Sequence, residues 1–328
     1  MRLRTSFKII GLTLICGLLN VNTAIAQSAA WPDKPVKILV GFAPGGFTDV
    51  LARALATEFT NQFKQPFVVE NRSGASGTIG TTAAVRSAPD GYTLLLGHST
   101  PNAIAAALFP KLPYDPIRDL TPIAQVAIHP HVLVVAKSAP WQSVQELIAD
   151  ARKNPGTINY ASSGVGTVQH VAGEMLAASA KVTLNHIPYR GSGPALVDIV
   201  NGTVSMSIDG AGVVASQVAA GNLRLLAAGS AQRISKYPDL PTLQELGYAG
   251  VDAVSWFGLF APAGLPAEIT AALEKATKTA LSSPAFEKVL NSGGARPGSL
   301  TGVNFKAFIQ NEIDAYKNVM RDQKFDLR

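Results

Sequence analysis

From residue 36 onward the chain alternates short apolar runs, glycine-rich breaks and stretches with helical spacing. Residues 37–40 predict a strand, Ala43-Pro44-Gly45-Gly46 ends it, and residues 49–63 follow as a helix with Val50, Leu51, Ala54, Leu55 and Phe59 on its apolar side. Residues 66–70 and 92–96 predict further strands, residues 110–122 a proline-rich connection, and residues 132–136 a buried strand. Ser143 and Glu146 are spaced as a capping box for a helix over 143–153, which Asn154-Pro155-Gly156 stops. The second half repeats the grammar. A strand over 159–162 leads through Ser163-Gly164-Val165-Gly166-Thr167 into a helix over 168–179; a strand over 182–187 leads through Gly191-Ser192-Gly193-Pro194 into another helix. Residues 206–209, 225–228 and 255–260 predict the remaining strands. This order predicts an α/β fold on mainly parallel sheets, with no fixed-period repeat and no low-complexity linker.

The length of 328 residues suits two domains. Without a linker, the chain is expected to cross between them through ordered strands near Gln125 and Val251. Lobe one then comprises residues 27–125 and 252–328, and lobe two residues 126–251.

The N-terminus changes the reading of the charge. Arg2, Arg4 and Lys8 precede an apolar stretch over residues 9–19, and Ala24-Ile25-Ala26 offers a small-x-small cleavage site, so residues 1–26 read as an export signal. The full chain has 28 Lys+Arg against 22 Asp+Glu, a net charge of +6; three of those basic residues leave with the signal, which brings the net charge to +3. No acidic partner is implied, and no run of like charge suggests a nucleic-acid arm. The only cysteine, Cys16, lies inside the apolar stretch, and Ile15 stands where a lipid-attachment signal wants a small residue. A mature protein beginning at Gln27 then has no thiol chemistry.

Four loops rich in Gly, Ser and Thr are the candidate chemistry: residues 43–49, 73–80, 162–167 and 190–194. In open α/β sheets ligands sit beyond the carboxyl ends of strands, where glycine admits close approach and helix N-termini present free N–H groups and a positive dipole end. Together the loops read as an anion cradle, although turn glycines and Ser/Thr/Asp caps also serve purely structural ends. The nucleotide versions fail: no G-x-x-x-x-G-K-[ST] is present, and after Gly164 and Gly166 the third glycine of G-x-G-x-x-G is replaced by Gln169. No cofactor is expected. G-x-S-x-G is absent, and Ser99 beside His98 is not a triad geometry. His129-Pro130-His131 lacks accompanying carboxylates and reads as a pair of loop histidines rather than a metal site. His170, in the first turn of its helix, is either structural or a donor facing a ligand. Phe42, Tyr189 and Trp256 read as core aromatics, whereas Phe47 interrupts a glycine loop.

Phe42-Ala43-Pro44-Gly45-Gly46-Phe47-Thr48-Asp49, Glu70-Asn71-Arg72, Pro89-Asp90-Gly91-Tyr92, Leu112-Pro113-Tyr114-Asp115-Pro116, Ser163 to Thr167 with His170, Pro188-Tyr189-Arg190-Gly191 and Trp256-Phe257-Gly258 form one ordered series. In order and spacing it resembles the Bug-type substrate-binding proteins of tripartite tricarboxylate transporters, from Trp31 to about Phe325. The resemblance implies a type II-like, two-lobed periplasmic binding protein, hinged by crossover strands and closing on a small organic carboxylate. It implies Phe42, Gly46, Phe47, Thr48 and Asp49 on the first-lobe side of the site. Ser163, Gly166, Thr167, His170, Tyr189, Gly191 and Asp209 lie on the second, and Arg190 at the rim. Phe47 stands where relatives often have a small residue, so the resemblance does not carry over the pocket size; the expected ligand is a small dicarboxylate or an aromatic acid. The expected protein is a monomeric periplasmic receptor for membrane transporter subunits, with no enzymatic activity. A hydrolase or isomerase using His98 or His170, or a sensor for a membrane signalling protein, are the alternatives.

Overall fold

The computed structural model describes residues 31–322; the expected export signal, its cleavage site and Cys16 lie outside the described residues. The first elements are β1 (Val36–Val40), α1 (Phe47–Phe63), β2 (Phe67–Asn71), α2 (Thr78–Val85), β3 (Thr93–His98) and α3 (Ala105–Leu108). There follow β4 (Leu120–Ala136), α4 (Val144–Lys153), β5 (Asn159–Ser162), α5 (Val168–Ala180), β6 (Asn185–Pro188), α6 (Ser192–Val200), β7 (Met206–Gly210), α7 (Ala211–Ala219) and β8 (Leu223–Ala228). The chain continues through β9 (Val254–Pro262), α8 (Ala267–Leu281), α9 (Pro284–Ser292), β10 (Arg296–Pro297) and α10 (Gly302–Asp322).

The strands run in the order β2-β1-β3-β9-β4-β7-β5-β6, with β8 and β10 also pairing β4. The expectation of mainly parallel sheets is corrected to a mixed sheet. Its flanks are parallel, β1 with β2 and β3, and β5 with β6 and β7. Its centre is antiparallel, because β9 and β4 return along their neighbours: β9 pairs β3, and β4 pairs β9, β7, β8 and β10. The 17-residue β4 serves two ladders: residues 120–130 lie against β9, and residues 131–136 lie between β7 and β8.

Alternation along the strands fills cores on both sheet faces. In β1, Ile38 and Val40 join Leu51, Leu55 and Phe59 of α1, while Leu39 points to the other face with Leu95 and Phe260. In β4, Val132 and Val134 face Ile199 and Val214, and Leu133 and Val135 face Tyr160 and Met206. Helix α4 forms as its sequence predicts: Ser143 Oγ accepts from Glu146 N at 3.2 Å, and Val144, Leu147, Ile148 and Ala151 make its buried stripe.

Two further expectations change. Pro122 belongs to β4 rather than to the connection before it, at a place where the register against β9 slips. The strand expected over 182–187 begins only at Asn185, because the Val182 N–H closes the end of α5 on the Ala177 carbonyl.

Candidate functional site

Four helices start directly beyond the carboxyl ends of parallel strands: α1 after β1, α5 after β5, α6 after β6 and α7 after β7. Their N-caps, Gly46, Thr167, Gly191 and Gly210, make no side-chain capping bond, which leaves the first-turn N–H groups without that partner. By contrast, α4 and α9 are capped by Ser143 and Ser283. Helices α2 and α8 also lack a side-chain cap, so the distinguishing feature is that three of the four starts are tied together. Ser163 Oγ donates to Gln169 Oε1 at 3.0 Å, and Gln169 Nε2 donates to Asp209 Oδ1 at 3.2 Å and to Ser192 Oγ at 3.3 Å. Ser192 Oγ in turn donates to Asp209 Oδ1 at 3.1 Å, as does the Gly210 N–H at 2.7 Å. This chain of amide, hydroxyl and carboxylate locks the starts of α5, α6 and α7 into one arrangement.

The turns need glycine. Gly166 has φ +74° and Gly191 φ +116°, and a Cβ on Gly166 would come within 3.2 Å of Leu108 Cδ1. The hydroxyls of this loop are committed to protein partners. Thr167 Oγ1 donates to the Gly164 carbonyl at 2.7 Å, and Ser162 Oγ donates to the same carbonyl at 3.0 Å. His170 is buried, and its Nδ1 accepts the Gly166 N–H at 3.1 Å, so the imidazole shapes the loop. Its ring stacks on His186 at 3.9 Å between centroids, and burial pushes His186 down to about 4. Tyr189 turns its hydroxyl to Asp198 Oδ2 at 2.6 Å, and Arg190 is exposed.

On the first side, Asp49 acts as an anchor. It is 3% exposed and accepts from Gly45 N at 3.0 Å, Arg53 Nε at 2.9 Å and Asn71 Nδ2 at 3.0 Å. Desolvation pushes its pKa upward, but these hydrogen bonds outweigh it and hold the carboxyl below the usual range. Asn71 also donates to the Phe42 carbonyl, which explains why a strand-end Asn accompanies the first glycine loop. Thr48 is buried beside Asp49. The Phe47 ring packs at 4.8 Å from His129 and 5.4 Å from Phe257, over Gly293, where a Cβ would stand only 2.0 Å from Phe47 Cε2. Phe42 lies against His98 at 5.3 Å. The two sides touch where Ser76 Oγ donates to the Val165 carbonyl at 3.4 Å and where Leu108 and Phe109 face Gly166.

His129 and His131 are not loop histidines: both are buried in β4, on one face, with rings 5.8 Å apart. His131 Nδ1 faces the Ile208 carbonyl at 3.3 Å, so Nε2 is the acceptor for Ser255 Oγ at 2.8 Å. His98, at the end of β3, accepts the Thr100 N–H on Nδ1 at 3.0 Å and packs 4.8 Å from Phe257. Burial, reinforced by His131 nearby, pushes His98 and His129 down to about 3. The Thr100 contact occupies the nitrogen that Ser99 Oγ approaches at 3.5 Å, so this pair does not form an activated nucleophile. Among the described residues no group of three His, Cys, Asp or Glu is arranged to hold a metal ion. Gln169, Ser192, His129 and His131 are residues that the sequence alone did not assign to the site, and His98 entered it only through the enzyme alternative. Gln169 was visible as the departure from a glycine motif, but its role depends on three helix starts meeting in space.

Residues 51–325 match the family described as tripartite tricarboxylate transporter family receptor. Protein BugT of Bordetella pertussis is 37% identical over 315 residues, which cover 95% of this chain and 97% of BugT. The structure of R. palustris Rpa4515 with adipate is 34% identical with a TM-score of 0.83, covering 89% of this chain and 97% of that one. MatC (Rpa3494) from Rhodopseudomonas palustris with bound malate is 33% identical with a TM-score of 0.80, covering 88% and 99%. Similarity of this extent carries the conclusion: the chain belongs to the tripartite tricarboxylate transporter receptor family and is a periplasmic solute-binding receptor rather than an enzyme.

Proposed function

We propose that this receptor captures a small organic carboxylate, a dicarboxylate or an aromatic acid, where α1, α5, α6 and α7 begin, and presents it to the membrane subunits of its transporter. The observation that carries this reading is the locked set of uncapped helix starts around Ser163, Gln169, Ser192 and Asp209. Main-chain N–H groups and dipole ends favour an anion there without a lysine or arginine. The relatives solved with adipate and malate support the ligand class. Ser163, Thr167 and His170 act by holding the loop, Gly166 and Gly191 by admitting the head group, and Phe42, Phe47 and Thr48 by bounding the other side. Two lobes, residues 27–125 with 252–328 and residues 126–251, move as the hinge opens and closes; the change of partners along β4 supports a crossing within that strand. The mature chain begins at Gln27 after signal cleavage and works as a monomer without a cofactor.

Calorimetry with adipate, malate and benzoate, each against its amide, tests the head-group reading. At least one acid is expected to bind, with its amide weaker by about tenfold or more, since one charge-assisted hydrogen bond is worth roughly 1.5–3 kcal/mol. Scattering with that acid should show a smaller radius of gyration. Equal affinity for an acid and its amide would overturn the proposal.

A further inference from the structure

Away from the helix starts, a cavity of about 650 Å³ opens between the 230–236 segment, the α9–β10 connection and α10. Trp256 of β9 and Ile128 of β4, partners in one ladder, line it together with Arg233 and Lys236. Trp256 is 1% exposed and packs 5.9 Å from Phe308 of α10, which makes one wall aromatic. Next to it stands Glu312, half-buried, which receives a hydrogen bond from Trp256 Nε1 at 3.3 Å. Tyr316, one helical turn further along α10, lines the cavity at 8% exposure, and among the described residues its hydroxyl has no hydrogen-bond partner. That oxygen is open to the cavity rather than sealed, so a polar group of a bound molecule can reach it.

The polar groups are sorted by depth. The buried side of the lining carries the Glu312 carboxylate and the Tyr316 hydroxyl, whereas Lys236, Arg296 and the Asp252 carboxylate that Arg296 faces are exposed. Arg233, also at the mouth, is engaged with Glu245 at 3.0 Å. Acceptors inside and an excess of cations outside describe the complement of a molecule with an ammonium at one end and a carboxylate at the other. We propose that this cavity is a second ligand site, which takes a small zwitterion ammonium-first against Glu312 and Tyr316, its carboxylate facing Lys236 and Arg296. Burial pushes Glu312 up to about 7, with Asp252 adding to the shift and the Trp256 bond opposing it. An arriving ammonium would favour the ionised carboxylate and bring that value down.

The probe is 5-aminopentanoate, with pentanoate and pentylamine as singly charged controls, followed by calorimetry and by Trp256 fluorescence. The zwitterion is expected to bind and to perturb the fluorescence more than either control at equal concentration. Glu312→Gln should weaken it by about tenfold or more and Tyr316→Phe by about threefold, neither altering the carboxylate titration of the helix-start site. Tyr316→Phe removes one oxygen atom and decides the matter if Glu312→Gln fails to fold. No binding of 5-aminopentanoate at millimolar concentration, equal affinity for a singly charged control, or binding unchanged in Tyr316→Phe would each overturn the proposal.

Discussion

His170 contributes an acceptor to a main-chain N–H that the Gly164–Thr167 turn would otherwise leave buried and unmatched. His170→Ala should therefore lower stability by about 1–3 kcal/mol and also weaken ligand binding, because the loop it holds carries the start of α5. His170→Asn, whose amide oxygen can accept the same N–H, should recover part of both. Thermal melts and calorimetry on the two variants check this; a His170→Ala protein with unchanged melting would remove the loop-holding role. The same logic governs Thr167 and Asp49. Both stand in loops that composition alone singles out, yet the Thr167 proton goes to the Gly164 carbonyl, and the Asp49 oxygens go to Gly45, Arg53 and Asn71. Residue types at a loop are legible in a sequence. The direction in which a hydroxyl or carboxylate is satisfied is not, because it depends on neighbours such as Asn71 that arrive from another strand.

Between elements, the start of α7 lies tightly against the end of α9. A Cβ on Gly212 would meet the Gly293 carbonyl oxygen at 2.0 Å, and that main-chain atom cannot swing aside. Gly212→Ala should separate the two helices, cost about 1–3 kcal/mol and enlarge the radius of gyration of the free protein. Gly193→Ala in α6 is the control: nothing lies within 4 Å of its Cβ position, and helix formation there should gain a few tenths to about 1 kcal/mol. Unchanged scattering and melting in Gly212→Ala would show that these helices yield easily. At this scale the flanking strand–loop–helix units were readable, since their periodicity is local. The first half of β4 was legible only as an ordered crossing near Gln125, because the proline-rich run up to Pro122 reads as a connection. In the sheet Pro122 sits where the register against β9 slips and Pro130 where β4 exchanges partners, the places where a missing N–H is tolerated.

The molecule as a whole carries several histidines whose burial disfavours charge, His98 and His129 pushed down to about 3, His186 to about 4, and His131 downward as well. In the unfolded chain they titrate near 6.5, so their contribution is complete above that pH and is lost progressively as pH falls toward the folded values. For the buried His129 the loss at pH 5 is about 2 kcal/mol. Glu312, raised to about 7, works in the opposite sense, adding stability as pH falls from 7 toward 4.5. Melting temperature should therefore drop between pH 7.5 and 5, and more steeply in Glu312→Gln; an equal or shallower drop in that variant would contradict this assignment of signs. The shared strand has a consequence of another kind. Residues 95–98 of β3 find their neighbours at 257–260, and residues 120–130 of β4 find theirs at 254–262. The centre of the sheet is thus closed by a strand that leaves the ribosome late, and such distant pairings form slowly. A periplasmic protein wired in this way keeps its sheet open at the centre until residues 254–262 of its 328 have been made, and an open sheet is the condition in which a polypeptide can still be threaded through a membrane pore.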